Sequence, residues 1–271
     1  MKRHLVTFGC SWAYGEGSGY TEGMTQEEYE DIQHDSLICW ENGWRKPVVD
    51  HFKFSHTNLA EYGSSNDRQF RLAKKYFSSK EFSKLLSSGT KIIVLWGTTA
   101  VNRYDFFLNS SRKHEKLLLN NIESDLLRFG TEQDLFTYAL RKYTYNEEMR
   151  IRELELEIIH WNQFFKLFNI QNFWYDTLGS YDYKIKPYNF FDIKKENRSL
   201  VSVVAEAHRK ESNYYKVRNT LKEKASQIFD DKDDFTYAID NEVLNSYSYH
   251  PKPKYYKAIS EYFIEKLEKE L

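Results

Sequence analysis

The sequence predicts an α/β protein in three α/β/α layers, with a central, mostly parallel sheet. Short apolar runs of strand type alternate with longer segments of helical periodicity, an order that favours parallel strands joined by helices. The chain has 271 residues, of which 41% are hydrophobic and 17% aromatic, so it can bury one large core. We therefore expect a single domain over residues 1–271 that carries an insertion.

Four segments have the composition of buried parallel strands. They cover residues 5–8, 54–59, 91–96 and 172–175. The third is the clearest, because five consecutive apolar residues, 92–96, lie between Gly89 and Gly97. This pattern is typical of a central strand whose carboxyl end faces a site.

Helical periodicity dominates residues 110–170. Apolar residues recur at three- and four-residue spacing over 116–129, 132–143 and 147–168. Because this region is too long for one crossover, we expect a helical insertion at approximately 110–170. It would form a lid over a site, or a surface for a homo-oligomer or another protein partner. Further helices are predicted over 201–229 and 253–270, the last with Pro253 in its first turn.

Charge, cysteine content and hydropathy bound the function. The chain has 39 basic and 40 acidic residues, which gives no reason to expect a nucleic acid or an anionic membrane as partner. Cys10 and Cys39 form no disulfide framework, which favours a reducing compartment and a cytoplasmic location. No apolar stretch reaches the ~18–20 residues of a spanning helix, and the run over 4–8 is too short for a signal peptide. No metal-ligand spacing or cofactor loop is present, so we expect neither group.

The segment FGCSWAYG, residues 8–15, directly follows the first predicted strand. A serine on a tight strand-to-helix turn suits a hydrolase nucleophile, because the turn presents its Oγ clear of the backbone. Gly9 and Gly15 allow the chain to bend there. Such a serine needs a base, and His250 lies just ahead of the final helix. We predict that the two ends of the chain meet, with Ser11 and His250 as the catalytic pair.

These motifs resemble those of the SGNH (GDSL-like) hydrolase superfamily, and more closely its divergent bacteriophage members. The resemblance implies the flavodoxin-like SGNH fold, with Ser11 as nucleophile and its backbone N–H as one oxyanion donor. The segment NLAEYGSSN, residues 58–66, is similar to the second block of the family. That likeness implies that the N–H of Gly63 is another donor. A phage-encoded protein would act in the host cytoplasm or in the virion.

The third block of the family reads Gly-x-Asn-Asp, and here the segment is GTTA, residues 97–100. The resemblance therefore puts Thr99 at the position of the asparagine that donates to the oxyanion. A threonine hydroxyl can donate but is shorter than a carboxamide. Arg103 is the preferred substitute, because phage-type members often carry an arginine closely followed by an acidic residue after this strand. Asn66 and Asn102 are the alternatives.

The last block of the family reads Asp-x-x-His-Pro. This chain has His250 and Pro251, but Tyr247 and Ser248 stand where the acid is expected. Either a Ser–His dyad operates, or an acid from elsewhere orients the histidine. The candidate acids are Asp240, Glu242 and Asp176.

The leading hypothesis is a serine esterase or deacetylase. The resemblance implies a small-molecule or glycan ester as substrate: an O-acetylated carbohydrate, a lipid or a small acyl ester. One alternative is an SGNH-like scaffold with weakened catalysis that binds a host protein or glycan through the insertion. Another is a nucleotide-binding α/β domain, although the glycine-rich stretch 16–19 lacks the Gly-Lys-Ser/Thr ending of a phosphate loop. We expect that stretch to form a mobile rim.

Overall fold

A computed structural model describes residues 2–108, 113–118, 145–178, 181, 183–184, 191, 199–212 and 234–271. The strands of this part of the chain are β1 Arg3–Phe8, β2 Ser55–Asn58, β3 Lys91–Thr98, β4 Arg103–Leu108, β5 Lys113–Leu118 and β6 Gln171–Asp176. The helices are α1 Ser11–Tyr14, α2 Gln26–Ile32, α3 Ser36–Glu41, α4 Arg45–Phe52, α5 Asn66–Phe77, α6 Lys80–Ser87, α7 Glu147–Leu167, α8 Leu200–Glu211, α9 Asp234–Asp240 and α10 Pro253–Glu270.

The central sheet has four parallel strands in the order β2-β1-β3-β6. These are the four strands that the sequence predicts. In the register, Phe8 at the end of β1 lies opposite Trp96 of β3, and Thr98 at the end of β3 lies opposite Asp176 of β6. The loops that follow β1 and β3 therefore leave the sheet at the same edge.

Helices cover both faces of this sheet. Leu5, Ile93 and Phe173 pack on one side, whereas Val6, Val94 and Trp174 pack on the other, as expected for side chains that alternate along a strand. The first face is covered by residues of α4, α8 and α10, and the second by residues of α5, α6 and α7. The predicted three-layer α/β/α fold is confirmed.

A stack of aromatic rings fixes the second face. The ring of Trp96 in β3 stacks on Phe8 at 4.3 Å and on Trp174 at 4.7 Å between centroids. Trp161 of α7 packs against the same ring at 5.5 Å. Helix α7 falls in the predicted helical region, and it packs on the sheet as part of the connection from β3 to β6. This part of the expected insertion therefore belongs to a layer of the fold.

The start of the expected insertion is wrong in one respect. Strands β4 and β5 pair in antiparallel register, with Asp105 opposite Lys116, so residues 116–118 are a strand where the sequence predicts a helix. Short apolar runs do not separate strand from helix, and here antiparallel pairing with the preceding segment, residues 103–108, decides the structure. The predicted helical residues 119–143 and 213–229 lie outside the described residues.

The last predicted helix, over 253–270, is confirmed as α10, and α8 begins one residue before the predicted start at 201. Within the described ranges, none of the helices combines the length and apolarity needed to cross a bilayer. In that same part of the chain, no three His, Cys, Asp or Glu side chains are grouped to hold a metal ion. Cys10 and Cys39 are both free and buried.

Candidate active site

The turn after β1 places Ser11 at the start of α1, with its side chain buried. Gly9 has φ +148°, and a Cβ atom there would lie 2.5 Å from the Cβ of Ala13 and 3.4 Å from the carbonyl oxygen of Gly97. The turn therefore requires glycine at position 9. It holds β1, α1 and the end of β3 in close contact.

A buried glutamine on α5 fastens this turn. The side chain of Gln69 accepts a hydrogen bond from the N–H of Gly9 at 2.8 Å and donates one to its carbonyl at 2.7 Å. The N–H of Glu61 donates to the same carbonyl at 3.1 Å. Both backbone groups of Gly9 are thus satisfied away from water, which fixes the backbone two residues before Ser11.

His250 meets Ser11 at this edge of the sheet. Its Nε2 lies 2.6 Å from the Oγ of Ser11, and 9% of the histidine surface is exposed. The buried Asn245 shapes the turn before His250: its Nδ2 donates to the carbonyl of His250, and its Oδ1 accepts from the N–H groups of Tyr247 and Ser248. The two ends of the chain therefore meet at one hydrogen-bonded pair.

The environment of His250 keeps its ring neutral. Burial lowers the pKa of His250 to about 3, and the positive charge of Arg103 acts in the same direction. The backbone of Ser248 acts in the opposite direction and has the smaller effect. At neutral pH the imidazole is therefore free to accept a proton from Ser11.

None of the three acids that the sequence offers is brought within ion-pair distance of His250 in the described structure. Asp176 accepts hydrogen bonds from Thr98 at 2.5 Å and from Tyr183 at 2.9 Å. Glu242 has φ +53° and lies 3.9 Å from Lys252, and Asp240 is exposed at the end of α9. Asp176 is therefore held at the edge of the sheet, whereas Asp240 and Glu242 lie at the surface and not beside His250.

The carboxylate beside His250 is that of Glu16. Its Oε1 lies 3.6 Å from the Nδ1 of His250, the ring nitrogen that faces away from Ser11. Glu16 is 6% exposed, and Gly17 and Ser18 are also buried. The expectation that residues 16–19 form a mobile rim is therefore wrong for residues 16–18. These residues pack behind the histidine.

The remaining predicted site residues follow β2 and β3. Gly63, with φ +60°, lies in the turn before α5. The side chain of Asn66 accepts from the N–H of Thr99 and donates to its carbonyl, each at 2.9 Å, so Asn66 braces the end of β3. The hydroxyl of Thr99 and the Nη1 of Arg103 are buried and have no hydrogen-bond partner in the described structure. Asn102 is half-buried in the loop between β3 and β4.

Comparison with known proteins adds little at the level of sequence. No family model matches the chain, and no curated protein matches it. Among solved structures, an acetyl xylan esterase from the rumen bacterium Butyrivibrio proteoclasticus is similar, with a TM-score of 0.47 and 11% identity over 99% of this chain and 64% of the other. This chain thus spans less than two thirds of that protein.

A second similar structure is a carbohydrate esterase whose active site displays divergent catalytic and non-catalytic binding functions. Its TM-score is 0.43, with 11% identity over 98% of this chain and 68% of the other. Likeness at this level shows neither a family nor an activity. What the site can do is therefore argued from its own geometry.

Three residues of the site were not predicted from the sequence: Glu16, Gln69 and Asn245. The sequence contains a feature that could have pointed to Glu16: it is an acidic residue five positions after Ser11 and lies between two glycines. Gln69 and Asn245 act through hydrogen bonds to backbone groups, which leave no periodic pattern. Those two contacts become visible only in the folded structure.

Proposed function

We propose that this chain is a serine hydrolase of the SGNH type that cleaves carboxylic esters, with Ser11 as nucleophile and His250 as general base. The observation that carries the proposal is the 2.6 Å contact between the Oγ of Ser11 and the Nε2 of His250. That distance is within reach for proton transfer, and both groups are fixed by buried contacts. The two residues are 239 positions apart in the chain, so the fold itself builds the pair.

In the first step, His250 Nε2 takes the hydroxyl proton of Ser11 as Oγ attacks the ester carbonyl carbon. The carbonyl π electrons move to oxygen and form a tetrahedral oxyanion. We assign the backbone N–H groups of Ser11 and Gly63 as donors to that oxyanion. Ser11 is the first residue of α1, so its N–H has no acceptor within the helix. Each such donor is typically worth about 10²–10³ in rate.

In the second step, the protonated His250 gives its proton to the leaving alkoxide oxygen, the C–O bond breaks and an alcohol departs. Ser11 then carries the acyl group. His250 takes a proton from a water molecule, which attacks the acyl carbon and forms a second tetrahedral oxyanion. Collapse of that intermediate breaks the bond to Ser11 Oγ, which regains its proton from His250 as the carboxylic acid leaves.

For the third oxyanion donor we propose Arg103. Its Nη1 is buried without a hydrogen-bond partner in the described structure, and its charge already acts on His250. Thr99 is the alternative, because its hydroxyl is likewise buried and has no partner there. Arg103→Gln should reduce kcat about 10²-fold, while Thr99→Val should change it little. The reverse order would assign the role to Thr99.

The proposed substrates are O-acetylated carbohydrates, lipids or small acyl esters. Turnover of p-nitrophenyl acetate tests the proposal, with acetylated oligosaccharides as a second substrate. Ser11→Ala should reduce the rate at least ~10³-fold, since it removes the nucleophile. Ser260→Ala is the matched control, because Ser260 is equally buried, at 3% exposure, and bonds only to backbone carbonyls. Equal rates in wild type and Ser11→Ala would contradict the proposal.

A further inference from the structure

The structure assigns to Glu16 the role that the resembled family gives to the aspartate of its last block: we propose that it positions His250 and stabilises the protonated ring. This inference rests on the proposed function of Ser11 and His250. Its basis is geometric, because Glu16 Oε1 lies 3.6 Å from His250 Nδ1 while Nε2 of the same ring faces Ser11. The imidazole therefore lies between the serine and the carboxylate, in the order that a catalytic triad requires.

The Nδ1 atom of His250 needs such a partner. It is buried, and it has no hydrogen-bond partner in the part of the chain that the structure describes. A distance of 3.6 Å is too long for a hydrogen bond, and closing it by roughly 0.6 Å would form one. Catalytic hydrogen bonds are often long in a resting enzyme and tighten when substrate binds. Protonation of His250 during the reaction would draw the carboxylate of Glu16 in.

The fold delivers Glu16 to this place by two left-handed turns. Gly15 has φ +95° and Gly17 has φ +94°, so the chain reverses on either side of Glu16. The N–H groups of Gly15 and Glu16 both donate to the carbonyl of Ser11, at 2.9 and 3.0 Å. From α10, the hydroxyl of Tyr256 donates to the carbonyl of Glu16. The backbone that carries the carboxylate is therefore fixed to the nucleophile turn itself.

The second oxygen of Glu16 faces another histidine. Oε2 lies 3.8 Å from the Nδ1 of His34. The ring of His34 stacks on Tyr62, with 3.7 Å between centroids and 12° between planes. We infer that His34 restrains the carboxylate from the side opposite to His250. The carboxylate of Glu16 thus lies between the exposed His34 and the buried pair of Ser11 and His250.

A rival partner for the ring is the backbone of Ser248, which raises the pKa of His250 but makes no hydrogen bond to Nδ1 within the described structure. A neutral carbonyl can hold a tautomer. It lacks the full negative charge that stabilises an imidazolium during the reaction. The charged groups that act on His250 are Arg103 and His34, which lower its pKa, and the adjacent carboxylate of Glu16. An experiment that separates the effect of a negative charge from the orientation of the His250 ring therefore distinguishes the role of Glu16 from that of Ser248.

Two variants separate these effects. Glu16→Gln keeps the size and a carbonyl acceptor but removes the charge, whereas Glu16→Ala removes both. Glu22→Gln is the control. Glu22 lies in the same connection as Glu16, between α1 and α2, but it is exposed, and its carboxylate lies 3.5 Å from the Nζ of Lys252. The first readout is the ¹⁵N NMR spectrum of the His250 ring in the resting protein, assigned with His250→Gln. The second is the rate at which a fluorophosphonate labels Ser11. Circular dichroism confirms that each variant folds.

We expect His250 to carry its proton on Nδ1 in the wild type and in Glu16→Gln, and to become a mixture of tautomers in Glu16→Ala. Labelling should fall about 10²-fold or more in Glu16→Gln, because the charge that stabilises the protonated ring is lost. Glu22→Gln should match the wild type in both readouts. If both Glu16 variants are labelled at the wild-type rate and keep the wild-type tautomer, the role of Glu16 is overturned and the hydrolase proposal stands. A tautomer that depends on Glu16 in a wild type that never labels would support the positioning role and contradict the hydrolase.

Discussion

Gln69 holds Gly9 by both of its backbone groups, accepting from the N–H at 2.8 Å and donating to the carbonyl at 2.7 Å. Gln69 is fully buried on α5, and Gly9 lies two residues before Ser11. A side chain of one layer thus fixes the backbone of the nucleophile turn. The site depends on this contact although Gln69 has no part in the proposed chemistry.

Replacing Gln69 should therefore destabilise the protein. Gln69→Leu leaves the buried N–H and a buried lone pair of Gly9 without a partner, at a cost of about 2–4 kcal/mol in the free energy of unfolding. Urea denaturation measures this cost. Gln163→Leu, at an exposed position of α7, is the control and should stay within about 0.5 kcal/mol of the wild type. A loss for Gln69→Leu no larger than for the control would contradict the contact.

Gly17 and Gly23 form a matched pair for testing the packing behind His250. Both have left-handed backbones, at φ +94° and +87°, so the backbone strain of an alanine should cost each about 1 kcal/mol in stability. A Cβ atom at Gly17 would lie 2.7 Å from the Cβ of His250, while one at Gly23 would meet nothing within 4 Å. Gly17→Ala should thus lose ester hydrolysis at least tenfold and Gly23→Ala should keep it. Equal activities would show that Gly17 does not set the position of the histidine.

Replacing Asp176 tests whether this acid has a structural or a catalytic role. Burial raises its pKa to about 6, against hydrogen bonds from Thr98 and Tyr183 that lower it. Its stabilising effect is present below about pH 3.8 and is lost as the pH rises through 6. Above pH 6, Asp176→Asn should be as stable as the wild type or more so, by up to ~3 kcal/mol, and should keep its esterase rate. Loss of activity with an intact fold would restore Asp176 as the partner of His250.

Buried histidines should make the protein sensitive to acid. Burial lowers the pKa of His56 and of His250 to about 3, and it also lowers that of His4. Below about pH 6.5 these histidines bind protons in the unfolded chain but remain neutral in the folded protein. The free energy of unfolding therefore falls as the pH falls toward 3. Between pH 6.5 and 4.5, His56→Gln should lose about 2 kcal/mol less than the wild type, at ~1.4 kcal/mol per pH unit.

Denaturant unfolding at several pH values measures this difference. His160→Gln, at an exposed position of α7, is the control and should follow the wild-type curve. A His56→Gln curve parallel to that of the wild type would contradict a neutral, half-buried His56.

The sequence was sufficient for the sheet because buried parallel strands carry uninterrupted apolar runs, as in β3. It was also sufficient to pair Ser11 with His250, since each follows or precedes an element with a clear pattern. It was insufficient for β4 and β5, because short apolar runs do not by themselves separate a strand from a helix.

The partner of His250 illustrates the same limit in the site. The resemblance pointed to an acid just before His250 in the sequence. In the structure, the carboxylate beside the histidine ring is that of Glu16, which lies 234 positions earlier in the chain. The left-handed backbone at Gly15 and Gly17 flanks Glu16, whose carboxylate lies beside Nδ1 of the ring. Positive φ angles at glycines can be anticipated, but the direction in which they send a side chain cannot be read from composition.

The central claim is that Ser11 is an activated nucleophile. Labelling of the folded protein with a fluorophosphonate, followed by peptide mass spectrometry, tests it most directly. The account predicts one adduct, on Ser11, that is absent in Ser11→Ala, slowed at least ~10³-fold in His250→Ala and unchanged in Ser260→Ala. A folded wild-type protein that stays unlabelled, or an adduct on another residue, would contradict it.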